Sequence, residues 1–112
     1  MSNTVNYDEM KTIVEDPKVL IIDVRSPQEV QSTGKIGNSI NIPVDEVTTI
    51  LKGNKESFEE KFGRPAPKPE DPIIFHCLKG GRALKAWEAS TSIGFTNAKY
   101  YPGSYTEWSS KN

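Results

Sequence analysis

An apolar run that breaks off into reactive and charged side chains constrains this chain more than any other feature. Ile73, Ile74 and Phe75 read as a short buried strand, because β-branched and aromatic residues crowd a span bounded by Pro72 and a glycine pair. The run passes through His76 into Cys77, the one cysteine of the 112 residues, and on through Leu78-Lys79-Gly80-Gly81-Arg82. Ala83-Leu84-Lys85-Ala86-Trp87-Glu88-Ala89 then opens a helical pattern. Gly80 and Gly81 tolerate backbone conformations that other residues avoid, so the chain can turn sharply there with its N–H groups directed inward. A cysteine at the strand's end then lies under a ring of amide donors and the positive end of a helix, a place that stabilises a thiolate.

The remaining segments alternate helices with short apolar strands. Tyr7, Met10, Ile13 and Val14 share one face of a helix over 7–15, with Asn6 as its N-cap and Asp16-Pro17 as its stop. Val19-Leu20-Ile21-Ile22 is almost continuously apolar, the signature of a strand covered on both faces in a parallel sheet. It ends in Asp23-Val24-Arg25, at the edge where open α/β sheets hold their ligands. Ser26 and Glu29 form a capping box around Pro27, and that helix stops near Thr33-Gly34. Arg25 and Glu29 are placed to pair across this turn.

A strand is expected over 39–42, an amphipathic helix through Val44, Val47, Ile50 and Leu51, and a short helix over 57–62 held by Phe58 and Phe62. Arg64 to Pro72 holds four of the eight prolines and reads as an extended connector. The helix from Ala83 to Ile93 stops at Gly94, and 98–101 is the last strand. Ser104-Tyr105-Thr106-Glu107 is a second capping box, opening a terminal helix that contains Trp108. The alternation predicts an α/β fold with a mostly parallel sheet.

One domain, residues 5–110, is expected from the length. Fourteen basic and fifteen acidic residues give a formal charge of −1, without the clustered positive excess that nucleic acid requires. One cysteine excludes an internal disulfide, and one cysteine with one histidine cannot form a Cys/His zinc site, so neither metal nor cofactor is expected. Met1 to Glu9 has no apolar stretch and carries acids early, and no run approaches membrane length. The expectation is a cytoplasmic monomer.

Several segments resemble one family. Cys77-Leu78-Lys79-Gly80-Gly81-Arg82 is similar to the active-site loop of single-domain rhodaneses, of the type C-x-x-G-x-R. Asp23-Val24-Arg25 followed by Glu29 resembles that family's D-V-R…E segment, and 34–43 resembles its G-H-I-x-G-A-x-N-I-P, with Lys35 in place of the histidine. Gly94-Phe95, then Tyr101-Pro102-Gly103-Ser104 and Trp108, resemble its G-F…G-G…W ending. The resemblance runs from about Tyr7 to Trp108 with its parts in order. It implies a rhodanese-like three-layer α/β fold, a mostly parallel sheet of about five strands flanked by helices.

It also implies an activity. The family moves a sulfane sulfur from thiosulfate, through a cysteine persulfide, to a thiol such as glutathione or to cyanide. Free cysteines are commonly inert small hydrophobes, but the setting of Cys77 argues for a reactive thiol that serves as the nucleophile. The backbone N–H groups of Leu78, Lys79, Gly80, Gly81 and Arg82 would bind the persulfide anion, with Lys79 and Arg82 attracting anionic donors. His76 points to the opposite face of its strand and reads as structural. Two other readings compete. A cysteine-type phosphatase also uses His-Cys, amides and arginine, but places five residues between cysteine and arginine, where this chain has four. A non-catalytic rhodanese-like module would not need the cysteine.

Overall fold

The computed structural model describes residues 3–112; Met1 and Ser2, the start of the stretch expected to lack an apolar run, lie outside the described residues. Three strands form the middle of the fold: β1 (Leu20–Asp23), β2 (Ile40–Asn41) and β3 (Ile73–His76). With β4 (Ala98–Tyr100) they make one parallel sheet in the order β2-β1-β3-β4. Every residue of β1 and β3 is buried, as expected of central strands covered on both faces.

Among the described residues the sheet has four strands, not the expected five or so. Next to β4 the N-terminal segment makes a single parallel bridge, Thr4 to Tyr100, with the Val5 N–H donating to the Tyr100 carbonyl at 3.0 Å. The chain enters helix α1 (Tyr7–Ile13) two residues after Val5, which ends the pairing on that side of the bridge.

Local signals set most helix starts. Asn6 and Ser26 each close a reciprocal capping box, with Glu9 and Glu29, at the heads of α1 and α2 (Pro27–Thr33). The 44–51 segment begins as one turn of 3₁₀ helix over Val44–Glu46 before α3 (Val47–Leu51), and Asn54 caps α4 (Lys55–Phe62). Helix α5 (Gly81–Ser92) presents Ala83, Ala86 and Ser90 to the sheet, small residues that let helix and strands approach closely. The Trp87 indole N–H fixes its far end by donating to the Ala98 carbonyl at 2.9 Å.

The second capping box does not form. Helix α6 (Ser104–Lys111) starts at Ser104 itself, whose φ of 54° lies in the left-handed region. Its hydroxyl serves the neighbouring loop, and the Glu107 carboxylate accepts the Tyr101 phenol at 2.7 Å. Partners outside the helix outcompete the local cap at both residues, a distant one at Ser104 and a nearby one at Glu107.

Two apolar clusters sandwich the sheet. One, on the side of α3, α4 and α5, contains Ile22, Val24, Phe75, Cys77 and Phe58. The other, on the side of α1 and α6, contains Met10, Ile21, Ile36, Ile74 and Tyr101. No helix among the described residues is long and apolar enough to cross a membrane.

Candidate active site

Parallel strands bring their carboxyl ends to one edge, and the register Asp23↔His76 places the tips of β1 and β3 side by side. Cys77 is the first residue beyond β3. Gly80 takes φ 107° at the N-cap of α5, so the chain reverses within three residues and the helix starts directly over the sulfur. The Cys77 Sγ accepts the Gly80 N–H at 3.0 Å and the Ala83 N–H at 3.4 Å. Ala83 is in the first turn of α5, where N–H groups have no intrahelical acceptor and are free to face an anion.

The loop is held from below by α6. The Ser104 Oγ accepts the Cys77 N–H at 3.1 Å, donates to the Tyr101 carbonyl at 2.8 Å and lies 3.8 Å from Sγ. The Tyr105 and Thr106 N–H groups donate to the carbonyls of Cys77 and Leu78, both at 3.0 Å. Gly80 is also pressed against the chain before α6, since a Cβ there would stand 2.6 Å from the Pro102 carbonyl oxygen. Cys77 itself is 1% exposed and belongs to the first apolar cluster, so its sulfur is buried within the cup of amides that donates to it.

The other predicted residues are distributed around that cup. Leu78 is half-buried, Gly80 buried, and Lys79 and Gly81 exposed. Arg82 is directed to Glu29, with its two terminal nitrogens 2.6 and 3.0 Å from the two carboxylate oxygens. Glu29 also accepts the Ser26 N–H at 3.0 Å. The Arg82 fork, then the Ser26 backbone, hold the Glu29 carboxyl down to about 2, and the carboxylate in turn raises Arg82 further. The Cys77 site adds to that rise, so the guanidinium and the sulfur interact electrostatically.

The expected Arg25–Glu29 pair is therefore replaced by two others. Arg25, fully buried, pairs with Asp23 at 2.7 Å and donates to the Thr33 hydroxyl at 2.9 Å and the Gly34 carbonyl at 3.0 Å. The Tyr105 ring covers its guanidinium at 4.4 Å. Only Val24 separates Asp23 from Arg25, close enough for the short path to win over the helix.

His76 lies behind the cup on the other face of the sheet. It is fully buried, and neither ring nitrogen has a hydrogen-bond partner. Burial first, with the Arg25 charge adding, lowers it to about 4 against the opposing pull of Asp23, so it is neutral at working pH. Trp108 packs on Tyr7 in the second apolar cluster, with ring centroids 5.6 Å apart.

Sequence reasoning missed the Ala83 amide, which carries no side-chain signal, and Ser104, which had one. A serine stands there where the family ending has its second glycine, and its positive φ keeps the backbone of a glycine while adding a hydroxyl beside the sulfur.

Comparison with known proteins agrees with this architecture. The rhodanese-like domain family model matches residues 6–111. A rhodanese domain-containing protein of Drosophila melanogaster, CG4456, is 42% identical over 105 residues, 94% of this chain and 95% of that protein. The human thiosulfate:glutathione sulfurtransferase is 34% identical over 109 residues, covering 96% and 94% of the two chains. The structure of the human single-domain sulfurtransferase TSTD1 superposes with a TM-score of 0.91 at 32% identity, covering 100% of this chain and 99% of that one. With the fold, the cysteine loop and these matches in agreement, the chain belongs to the rhodanese-like domain family of sulfurtransferase-type proteins.

Proposed function

We propose that residues 5–110 form one catalytic unit that transfers a sulfane sulfur from thiosulfate to a thiol, glutathione being the acceptor class that a relative's name suggests. The observation that carries this reading is the Cys77 sulfur seated on the Gly80 and Ala83 N–H groups. Amide donors fixed before any substrate arrives stabilise charge on sulfur without reorganisation.

The reaction runs in two displacements. The Cys77 thiolate attacks the outer sulfur of thiosulfate, a Cys77 S–S bond forms, the donor's S–S bond breaks, and sulfite leaves with the electron pair. The persulfide adds one sulfur beyond Sγ, where further N–H groups of the loop from Leu78 to Arg82 would hold its charge. An acceptor thiolate then attacks that outer sulfur, leaving as its own persulfide and returning Cys77 to the thiolate. Separate half-reactions of this kind give ping-pong kinetics.

Lys79, exposed at the rim, attracts the anionic donor, and Arg82 contributes its charge from its place against Glu29. His76 stays outside the proton path, being neutral and turned to the opposite face. The four-residue spacing from Cys77 to Arg82 favours this reading over phosphate-monoester hydrolysis, because a shorter cradle suits a single sulfur better than a phosphoryl group.

Mass spectrometry of the protein after thiosulfate treatment is the test. One added sulfur on Cys77, removed by glutathione or cyanide and absent from Cys77→Ser, is the expected result. No added sulfur, or Cys77-dependent hydrolysis of an aryl phosphate in its place, would overturn the proposal.

A further inference from the structure

We propose that Glu29 sets the charge selectivity of the cup: by filling the fork of Arg82 it restrains the preference for dianionic sulfur donors, so that less charged sulfane carriers compete for the same cysteine. The inference rests on the sulfurtransferase reading and adds to it the class of donor admitted.

The loop is strongly biased towards anions. Lys79 in the loop and Lys85 in α5 are exposed, Arg82 sits in the first turn of α5, and the Gly80 and Ala83 N–H groups meet the sulfur. A cation in the first turn of a helix is unfavourable, so the place of Arg82 is not explained by the helix that carries it. It is explained by Glu29, which lies 53 positions away and meets both terminal nitrogens.

Three features make this carboxylate a fixed counter-charge and not a transient one. The Ser26 N–H grips it from the other side, as half of a capping box. It remains ionised across any working pH, because its carboxyl is held down to about 2. The Arg82–Glu29 pair is also about one-third exposed, with side-chain exposures of 35% and 33%, so it meets solvent and not the core, and the charge of Arg82 is felt at Cys77. A donor with two negative charges meets a site whose strongest oxyanion fork is already occupied. A donor with one charge or none loses less by that.

Two alkylating reagents of nearly equal shape read this directly: iodoacetate is an anion and iodoacetamide is neutral. In Glu29→Gln the amide keeps a hydrogen bond to Arg82 but removes the charge. The ratio of iodoacetate to iodoacetamide rates at Cys77 is expected to rise roughly fivefold at low salt, as one uncompensated positive charge beside an anion's path implies. The rise should shrink at about 0.5 M salt, where screening acts within a few ångströms. Glu29→Asp, which keeps the charge, should stay near the parent ratio. If both reagents speed up or slow down by the same factor in Glu29→Gln, the carboxylate only tethers the loop and the inference fails. The measurement needs alkylation alone, so its outcome is independent of whether thiosulfate delivers sulfur to Cys77.

Discussion

Gly80 concentrates the demands of the site in one residue. Its φ of 107° is open to glycine and costly for any residue with a Cβ, and that Cβ would meet the Pro102 carbonyl oxygen at 2.6 Å. Its N–H is also the shorter of the two backbone contacts to sulfur. Gly80→Ala therefore combines strain of about 1–3 kcal/mol with displacement of a donor from the nucleophile. Urea unfolding should show the first as a lowered midpoint with an unchanged slope. The rate of persulfide formation should fall at least about tenfold, since removing one preorganised donor from a developing anion costs about 2.7–4 kcal/mol in the best-studied case. Gly81 is the contrast: a Cβ there meets nothing within 4 Å and its φ is ordinary, so Gly81→Ala should leave both measurements near the parent value. Both glycines are visible in the sequence, but only the folded chain tells them apart, by the φ of Gly80 and the approach of the Pro102 turn.

At the scale of elements, the carboxyl edge of the sheet is tied together by two ion pairs of opposite character. Asp23–Arg25 is sealed: the side chains are 1% and 0% exposed, and the guanidinium reaches from the tip of β1 to Thr33 and Gly34 at the end of α2. Removing one partner of such a pair leaves the other charge buried, which costs about 3–5 kcal/mol. Asp23→Asn should therefore lower stability by that order in chemical denaturation. Asp8→Asn, which breaks an exposed pair with Lys11, should change it by less than about 0.5 kcal/mol. Tyr105 joins the sealed pair to the loop, because its ring covers Arg25 while its N–H holds the Cys77 carbonyl. Asp23→Asn should accordingly slow persulfide formation as well, although Asp23 lies outside the cup.

Across the whole molecule, the buried His76 governs how the fold meets mild acid. Its folded value, about 4, lies below its ordinary 6.5, so the unfolded chain binds a proton that the native one refuses. Stability is full above pH 6.5 and falls as the pH drops towards 4, by about 2 kcal/mol between pH 7 and pH 5. Glu29 acts in a lower window: depressed from 4.5 to about 2, its contribution is present above 4.5 and lost only as the pH falls through that lower value. Urea midpoints at pH 7 and pH 5 separate the two. The parent protein should lose stability over that interval and His76→Phe should be nearly flat; an equal loss in both would place the titrating group elsewhere.

How much of this was legible beforehand differs by kind of interaction. Periodicity and apolar runs marked the helices and four strands because burial on a sheet leaves its trace in neighbouring residues, as in Leu20 to Asp23. Capping boxes at Asn6 and Ser26 were readable for the same reason, since both partners lie within one turn. Ser104 and Glu107 match the same pattern, yet Tyr101 claims Glu107 from the preceding strand end and Cys77 claims Ser104 from 27 positions away, a competitor that no local rule registers.

Taken alone, the order of residues determined that a cysteine would stand at the end of a buried strand, before a glycine turn and a helix. Those are short-range facts, settled by backbone sterics and the alternation of apolar side chains. Tertiary structure decided which charge faces which: Arg25 closes on Asp23, and Arg82 crosses 53 positions to Glu29. Ion pairs carry no periodicity, so only the packing of β1, α2 and α5 at one sheet edge could select them.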